Sequence, residues 1–121
     1  MGMKKTVVLG ATENPDRYAY RAAQSLARHG HPIELVGQRG GKVAGATIRT
    51  DQPALSEVHT VTLYVGTRNL PPLYDYILSL RPKRIIFNPG TENAELQQRA
   101  EAQGIETVYG CTLVMLATDQ Y

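Results

Sequence analysis

Short runs of β-branched and aliphatic residues recur along this chain, and the stretches between them carry helical spacing. That alternation constrains the fold more than any other feature. Residues 4–9 read as a first strand, because Val7-Val8-Leu9 is an unbroken apolar run, the pattern of a strand buried on both faces. Ile33-Glu34-Leu35-Val36 reads as a second. Residues 60–65, 84–87 and 106–109 read as three more, rich in residues that suit a pleated surface. Residues 43–48 fit either a small strand or a turn.

Helices fill the intervals. Over residues 17–29, Ala19, Ala22, Ala23, Leu26 and Ala27 fall on one face, and Gly30 stands where a left-handed cap would end the helix. Pro71-Pro72 opens a second helix with Leu73, Ile77 and Leu80 inward. Arg81-Pro82 closes it, since a residue before proline avoids the helical region. A third runs over residues 92–103 and stops at Gly104. The segment 110–117 is apolar without a clear period. Strands alternating with helices predict an α/β, Rossmann-like parallel sheet of about five strands with helices on both faces, as one domain over residues 1–121.

Composition narrows the class. A chain of 121 residues buries about two-thirds of its unfolded surface and needs no staple. The single cysteine, Cys111, excludes an internal disulfide framework. No apolar run approaches the ~20 residues of a membrane span, and the N-terminal lysines precede too short an apolar stretch for a signal peptide. A net charge of +2 is small for a nucleic-acid binder. The expectation is a soluble, cytoplasmic protein with a small-molecule ligand, no nucleic acid and no membrane.

In an open parallel sheet, ligands bind beyond the carboxyl ends of the strands, where strand order reverses. The first segment to reach that edge holds Gly10, Ala11, Thr12, Asn14 and Pro15. It follows a buried strand and opens a helix, an arrangement suited to a diphosphate. A plain strand-to-helix turn has the same outline, and Thr12 and Pro15 stand where a full dinucleotide fingerprint has glycines. After the second strand, an NAD site calls for an acid to hold the ribose. This chain has Arg39 and Lys42 there instead, cations suited to an extra phosphate on the adenosine ribose, as in coenzyme A or NADP. Tyr18, Tyr20 and Arg21 open the first helix, where a tyrosine packs either on a ligand or on the core. No catalytic constellation is apparent. His29 and His31 have poor spacing for zinc, and Thr91-Glu92-Asn93 fits a helix cap. Cys111 follows the last strand and reads as a buried thiol or one facing the ligand edge.

Val8-Leu9-Gly10-Ala11-Thr12, Asn14-Pro15, Tyr20-Arg21, His29-Gly30-His31-Pro32-Ile33 and Val36-Gly37-Gln38-Arg39 with Gly45 together resemble the small bacterial CoA-binding domain proteins. The likeness extends more loosely to Gly104-Ile105 and Cys111. It is shared by the nucleotide-binding domain of the succinyl-CoA synthetase alpha chain. The resemblance implies coenzyme A or an acyl-CoA as ligand, with its adenosine diphosphate on the first loop. It also implies the 3′-phosphate near Arg39 and Lys42, and the pantetheine arm along Tyr64, Val65 and Gly66. The chain departs from the family at Ala19, where many members have serine, and at Asn88-Pro89-Gly90-Thr91. Two other readings stay open: a small NADP-binding reductase-like protein, and an interaction module, such as a homodimer, whose nucleotide site has decayed.

Overall fold

A computed structural model of the chain describes residues 2–121. The order of elements is β1 (Thr6–Leu9), α1 (Tyr18–Arg28), β2 (Ile33–Val36), β3 (Lys42–Val43), β4 (Ala46–Arg49), β5 (Thr60–Leu63), α2 (Tyr74–Ser79), β6 (Arg84–Phe87), α3 (Ala94–Ala102), β7 (Glu106–Tyr109) and α4 (Thr112–Ala117). The strands form one sheet in the order β3-β4-β2-β1-β5-β6-β7, parallel throughout except for the β3–β4 pair.

The sheet therefore has seven strands rather than about five. The additional two come from residues 42–49. Val43 pairs with Ala46, and the two residues between them, Ala44 (φ 52) and Gly45 (φ 81), both take positive φ, as a tight hairpin turn requires. A two-residue strand shows no alternation, and alanine is an unusual occupant of such a turn, so the hairpin left little trace in the pattern. The apolar segment after β7 is helix α4, packed on α1. Its six residues are too few to show a period.

Strand faces alternate as the pleat demands. Val7, Leu9, Val61, Leu63, Ile85 and Phe87 point to one side, against Ile77 of α2 and Leu96 and Ala100 of α3. Val8, Leu35, Ile48 and Ile86 point to the other, against Ala23 and Leu26 of α1 and Leu116 of α4. Each fully buried aliphatic side chain contributes about 1.5–3 kcal/mol of transfer free energy.

The chain leaves β1 in one direction, to β2 and β4, then returns to the opposite side of β1 as β5 and continues to β6 and β7. The chain goes from β1 to α1 on one face of the sheet and from β5 to α2 on the other, so strand order reverses between β1 and β5.

The other edge of the sheet is closed by Tyr121. Its hydroxyl is 2.6 Å from Thr6 Oγ1, and its ring lies under the Arg84 guanidinium at 4.4 Å. Arg84 donates from Nε to Thr60 Oγ1 (3.0 Å) and from Nη1 to the Tyr121 carbonyl (3.1 Å). The His31 ring lies 4.9 Å from the Tyr121 ring, tilted at 49° to it, and its Nδ1 accepts from the Lys4 amide at 3.0 Å. That bond needs an unprotonated Nδ1. Burial, then Lys4, hold the His31 pKa below its ordinary value, and burial, then Arg84, do the same for His59.

Both histidines bind protons more readily in the unfolded chain, so stability is highest above the ordinary histidine value of 6.5 and falls as pH drops below it. Urea midpoints should decrease between pH 7.5 and pH 5.5. His31→Asn, which keeps an acceptor without a titrating ring, should flatten part of the decline. A wild-type midpoint that is level across this window would refute the assignment.

Candidate functional site

A cleft of about 1560 Å³ lies across the carboxyl ends of β2, β1, β5 and β6. That exceeds the ~300–1,000 Å³ of sites for drug-sized ligands and suits an elongated one. Along the sheet edge its wall runs from Gly37–Gly40 through the loop between β1 and α1, then Tyr64–Gly66 with Arg68 and Asn69, to Pro89–Thr91.

The loops pack on each other through glycine. Gly10 has φ +95, and a Cβ there would lie 2.7 Å from the Tyr64 carbonyl oxygen. A Cβ on Gly37 would lie 2.3 Å from the Ala11 carbonyl oxygen. These glycines serve the contact between backbones. Their amides are spent as well: Gly10 and Ala11 both donate to Val36 O (2.9 and 3.0 Å), and Gly37 donates to Arg49 O (2.9 Å).

Other amides in the first loop are also taken. Asn14 N–H donates to Thr12 Oγ1 (3.1 Å), Asp16 N–H to Asn14 Oδ1 (3.0 Å) and Arg17 N–H to Asn14 O (3.1 Å). Among the described residues no acceptor meets the amides of Thr12, Glu13, Tyr18 and Ala19. Helix α1 has no side-chain cap and no acid in its first turn. Its positive end therefore faces the cleft without a side-chain cap, and Arg17, Tyr18 and Ala19 line the wall there.

Charge on the wall is positive by one, three arginines against two acids. Arg17, Arg39 and Arg68 line it and join no ion pair among the described residues. The acids on the wall are Glu13 and Asp16. One of them, Glu13, accepts the Lys42 amide at 2.8 Å through Oε2.

Behind the β5–β6 end stands a buried polar knot. Asn88 donates from Nδ2 to Thr62 Oγ1 (2.6 Å) and to Leu63 O (2.9 Å), and its Oδ1 accepts from Thr112 N–H (2.9 Å). Thr62 and Thr112 hydroxyls are 2.7 Å apart. Asn88 thus ties β5, β6 and the start of α4 together. Beside it the Tyr64 hydroxyl is buried and has no partner among the described residues. Burial pushes the Tyr64 pKa up to about 12, against the pull of the nearby Thr112 and Thr62 hydroxyls, so the phenol keeps its proton at neutral pH.

Of the residues singled out in the sequence, Gly10, Ala11, Thr12, Asn14, Arg39, Tyr64, Val65 and Gly66 come together on this wall. Pro15, Tyr20, Arg21 and Lys42 are not part of it. Tyr20 lies a half-turn into α1 and packs on the core, its hydroxyl accepting from Gln24 Nε2 at 3.3 Å. Arg21 is exposed, with its guanidinium 5.6 Å from the Tyr18 ring centre. Pro15 is exposed, and Lys42 belongs to the hairpin. The wall also holds Arg68, Asn69 and Thr91, from the segments 66–70 and 88–91 that the sequence places beyond strand ends, and Arg17 and Gln52, which sequence reasoning did not assign to it. Arg17 was the most accessible of these, as the residue just before the helix. Asn93 caps α3, accepting from the Leu96 amide at 2.9 Å, and also accepts the Tyr74 hydroxyl at 2.9 Å. Cys111 is the N-cap residue of α4 and is not part of the cleft wall. Among the described residues no cluster of three or more His, Cys, Asp or Glu is placed to hold a metal ion, and no helix is long and apolar enough to cross a membrane.

Residues 4–117 match a family model described as "CoA binding domain". No curated protein matches the chain. Among solved structures, one described as an uncharacterized protein is 52% identical, with a TM-score of 0.97 and full coverage of both chains. A protein from Thermus thermophilus is 20% identical, with a TM-score of 0.86 over 98% of this chain and 91% of that one. A hypothetical protein from Pyrococcus horikoshii OT3 is also 20% identical, with a TM-score of 0.84 over 98% of this chain and 84% of its own. At that identity the two share the fold.

The glycine contacts are open to direct measurement. Gly37→Ala forces a methyl onto the Ala11 carbonyl and should cost about 1–3 kcal/mol in unfolding free energy, as overpacking does. Gly66→Ala meets nothing within 4 Å and should leave stability within about 0.5 kcal/mol of the parent. Equal losses for the two variants would contradict this account of the loops.

Proposed function

The chain belongs to the CoA binding domain family, and from that premise we propose that it binds coenzyme A or an acyl-CoA in the cleft at the carboxyl edge of its sheet. The observation that carries the proposal is the order of groups along the wall. Arg39 stands at the β2 end, the uncapped start of α1 with Arg17 stands in the middle, and the glycine-flanked Tyr64–Gly66 segment follows.

On this reading Arg39 pairs with the phosphate on the adenosine ribose. A guanidinium offers paired N–H groups to phosphate oxygens, where an acid would have offered acceptors to ribose hydroxyls. The diphosphate takes the unbonded amides of Thr12, Glu13, Tyr18 and Ala19, with Arg17 beside it. The pantetheine arm crosses Tyr64, Val65 and Gly66 toward Pro89–Thr91. Lys42 is outside the contact, because its strand lies beyond the cleft wall. The role assigned is recognition of the ligand, with no bond-making step given to any residue.

Calorimetric titration separates this reading from its rivals. Coenzyme A should bind more tightly than dephospho-coenzyme A, and both more tightly than NADPH. Arg39→Ala should weaken coenzyme A by about 1.5–3 kcal/mol, the range for a hydrogen bond to a charged group, and leave dephospho-coenzyme A nearly unchanged. Equal affinity for the two forms of the cofactor removes Arg39 from the site. Binding of NADPH alone would move the assignment to a nicotinamide nucleotide.

A further inference from the structure

Arg39 sits on an arch, residues 37–41, whose two feet both rest on the first loop. At one foot Gly37 packs against the Ala11 carbonyl, where a Cβ would come within 2.3 Å of the oxygen. At the other, Glu13 reaches across. Its Oε2 accepts the Lys42 amide at 2.8 Å, and its carboxyl group lies so close over Gly41 that a Cβ there would be 2.2 Å from Glu13 Cδ. Gly41 has φ +148, and its carbonyl accepts the Ile48 amide at 2.8 Å. Between the feet, residues 38–40 make no hydrogen bond among the described residues.

Glu13 is otherwise out of place. It is an acid on the wall of a cleft whose proposed guest is an anion, and its charge opposes that guest. No cation pairs with it within ion-pair distance among the described residues. The hydrogen bond it does accept comes from the backbone just past the arch. That contact joins the first loop to the hairpin strand β3, so it sets the span of the arch and with it the place of Arg39.

We propose that Glu13 is a positioning residue that holds the Arg39 arch over the ribose-phosphate end of the cleft, and so governs discrimination between a ligand that carries the extra phosphate and one that does not. The proposal rests on the coenzyme A reading. It adds a residue that acts through backbone geometry and against its own charge. An amide side chain keeps the acceptor and removes the charge, while a methyl removes both.

The test is the ratio of coenzyme A to dephospho-coenzyme A affinity in wild type, Glu13→Ala and Glu13→Gln. Loss of the bond frees the arch, so Glu13→Ala should lower the ratio about fivefold or more, the scale of one hydrogen bond. Glu13→Gln should keep the ratio and bind both ligands at least as tightly as the parent. Amide exchange at Lys42 gives a second readout without ligand: protected in wild type and Glu13→Gln, faster in Glu13→Ala. An unchanged ratio in Glu13→Ala overturns the proposal and leaves the coenzyme A reading standing. So does an equal fall in both variants, which would make the charge itself the active element. Should Glu13→Ala fail to fold, Gly41→Ala displaces the carboxyl group from the opposite side and should lower the same ratio; a ratio unchanged there overturns the proposal equally. If wild type binds neither form, the coenzyme A reading falls first and this one with it.

Discussion

The ends of β2, β1 and β5 lie closer together than side chains would allow, and the rest of the ligand edge depends on that closeness. The Val36 carbonyl receives two amides, Gly10 and Ala11, and the Leu9 carbonyl receives the Tyr64 amide at 2.8 Å. These bonds carry the ladder one step past the strands. Only glycine fits at positions 10 and 37, where a Cβ would strike a carbonyl of the neighbouring loop. The contact pins the first loop at its root, so the freedom that remains lies further along, near Thr12 and at the start of α1.

That division explains which amides are left for a ligand. A glycine-rich turn is commonly read as backbone made available to a phosphate. Here the amides of Gly10 and Gly37 are consumed in holding the sheet edge together. Within the first loop and the first turn of α1 the unbonded donors belong to Thr12, Glu13, Tyr18 and Ala19. The anion site proposed above therefore draws on these non-glycine amides, with Gly10 and Gly37 one layer below as the close-packed support. The same logic places Arg39: it is carried by an arch whose beginning and end are fixed by contacts and whose middle is free.

Much of the architecture was legible because burial on both faces leaves a strong mark. Val7-Val8-Leu9, Ile85-Ile86-Phe87 and the alanine face of α1 each state their surroundings in a few residues. The hairpin at 42–49 was legible only as a small strand or a turn, since its identity depends on pairing across a two-residue turn and on β2 beside it. Helix α4 was hidden by its length. At the site, loop identity could be read and side-chain direction could not. Arg39 and Lys42 looked alike in sequence, yet one lines the cleft and the other sits in a strand that leads away from it. Tyr20 and Arg21 show the same limit on a helix, where ~100° per residue turns neighbours from the ligand edge to the core and then to solvent.

The two edges of the sheet bury polar groups for different ends. At the amino edge, Arg84, Thr60, Thr6 and Tyr121 draw the last residue of the chain onto the first strand. This closes the domain on the side away from the cleft. At the carboxyl edge, Asn88 spends one amide group on three elements, and Thr62 and Thr112 complete the knot. A buried amide costs free energy unless its bonds are met, so it holds its neighbours to one arrangement. The departure of the chain from the family at Asn88-Pro89-Gly90-Thr91 acquires a physical meaning here: the asparagine makes a rigid joint beneath the far end of the cleft. The Arg39 end of the cleft rests on an arch tied at its feet, and the opposite end rests on this joint. A long ligand laid across the four strand ends would thus meet preset ends, with the Tyr64 ring standing between them.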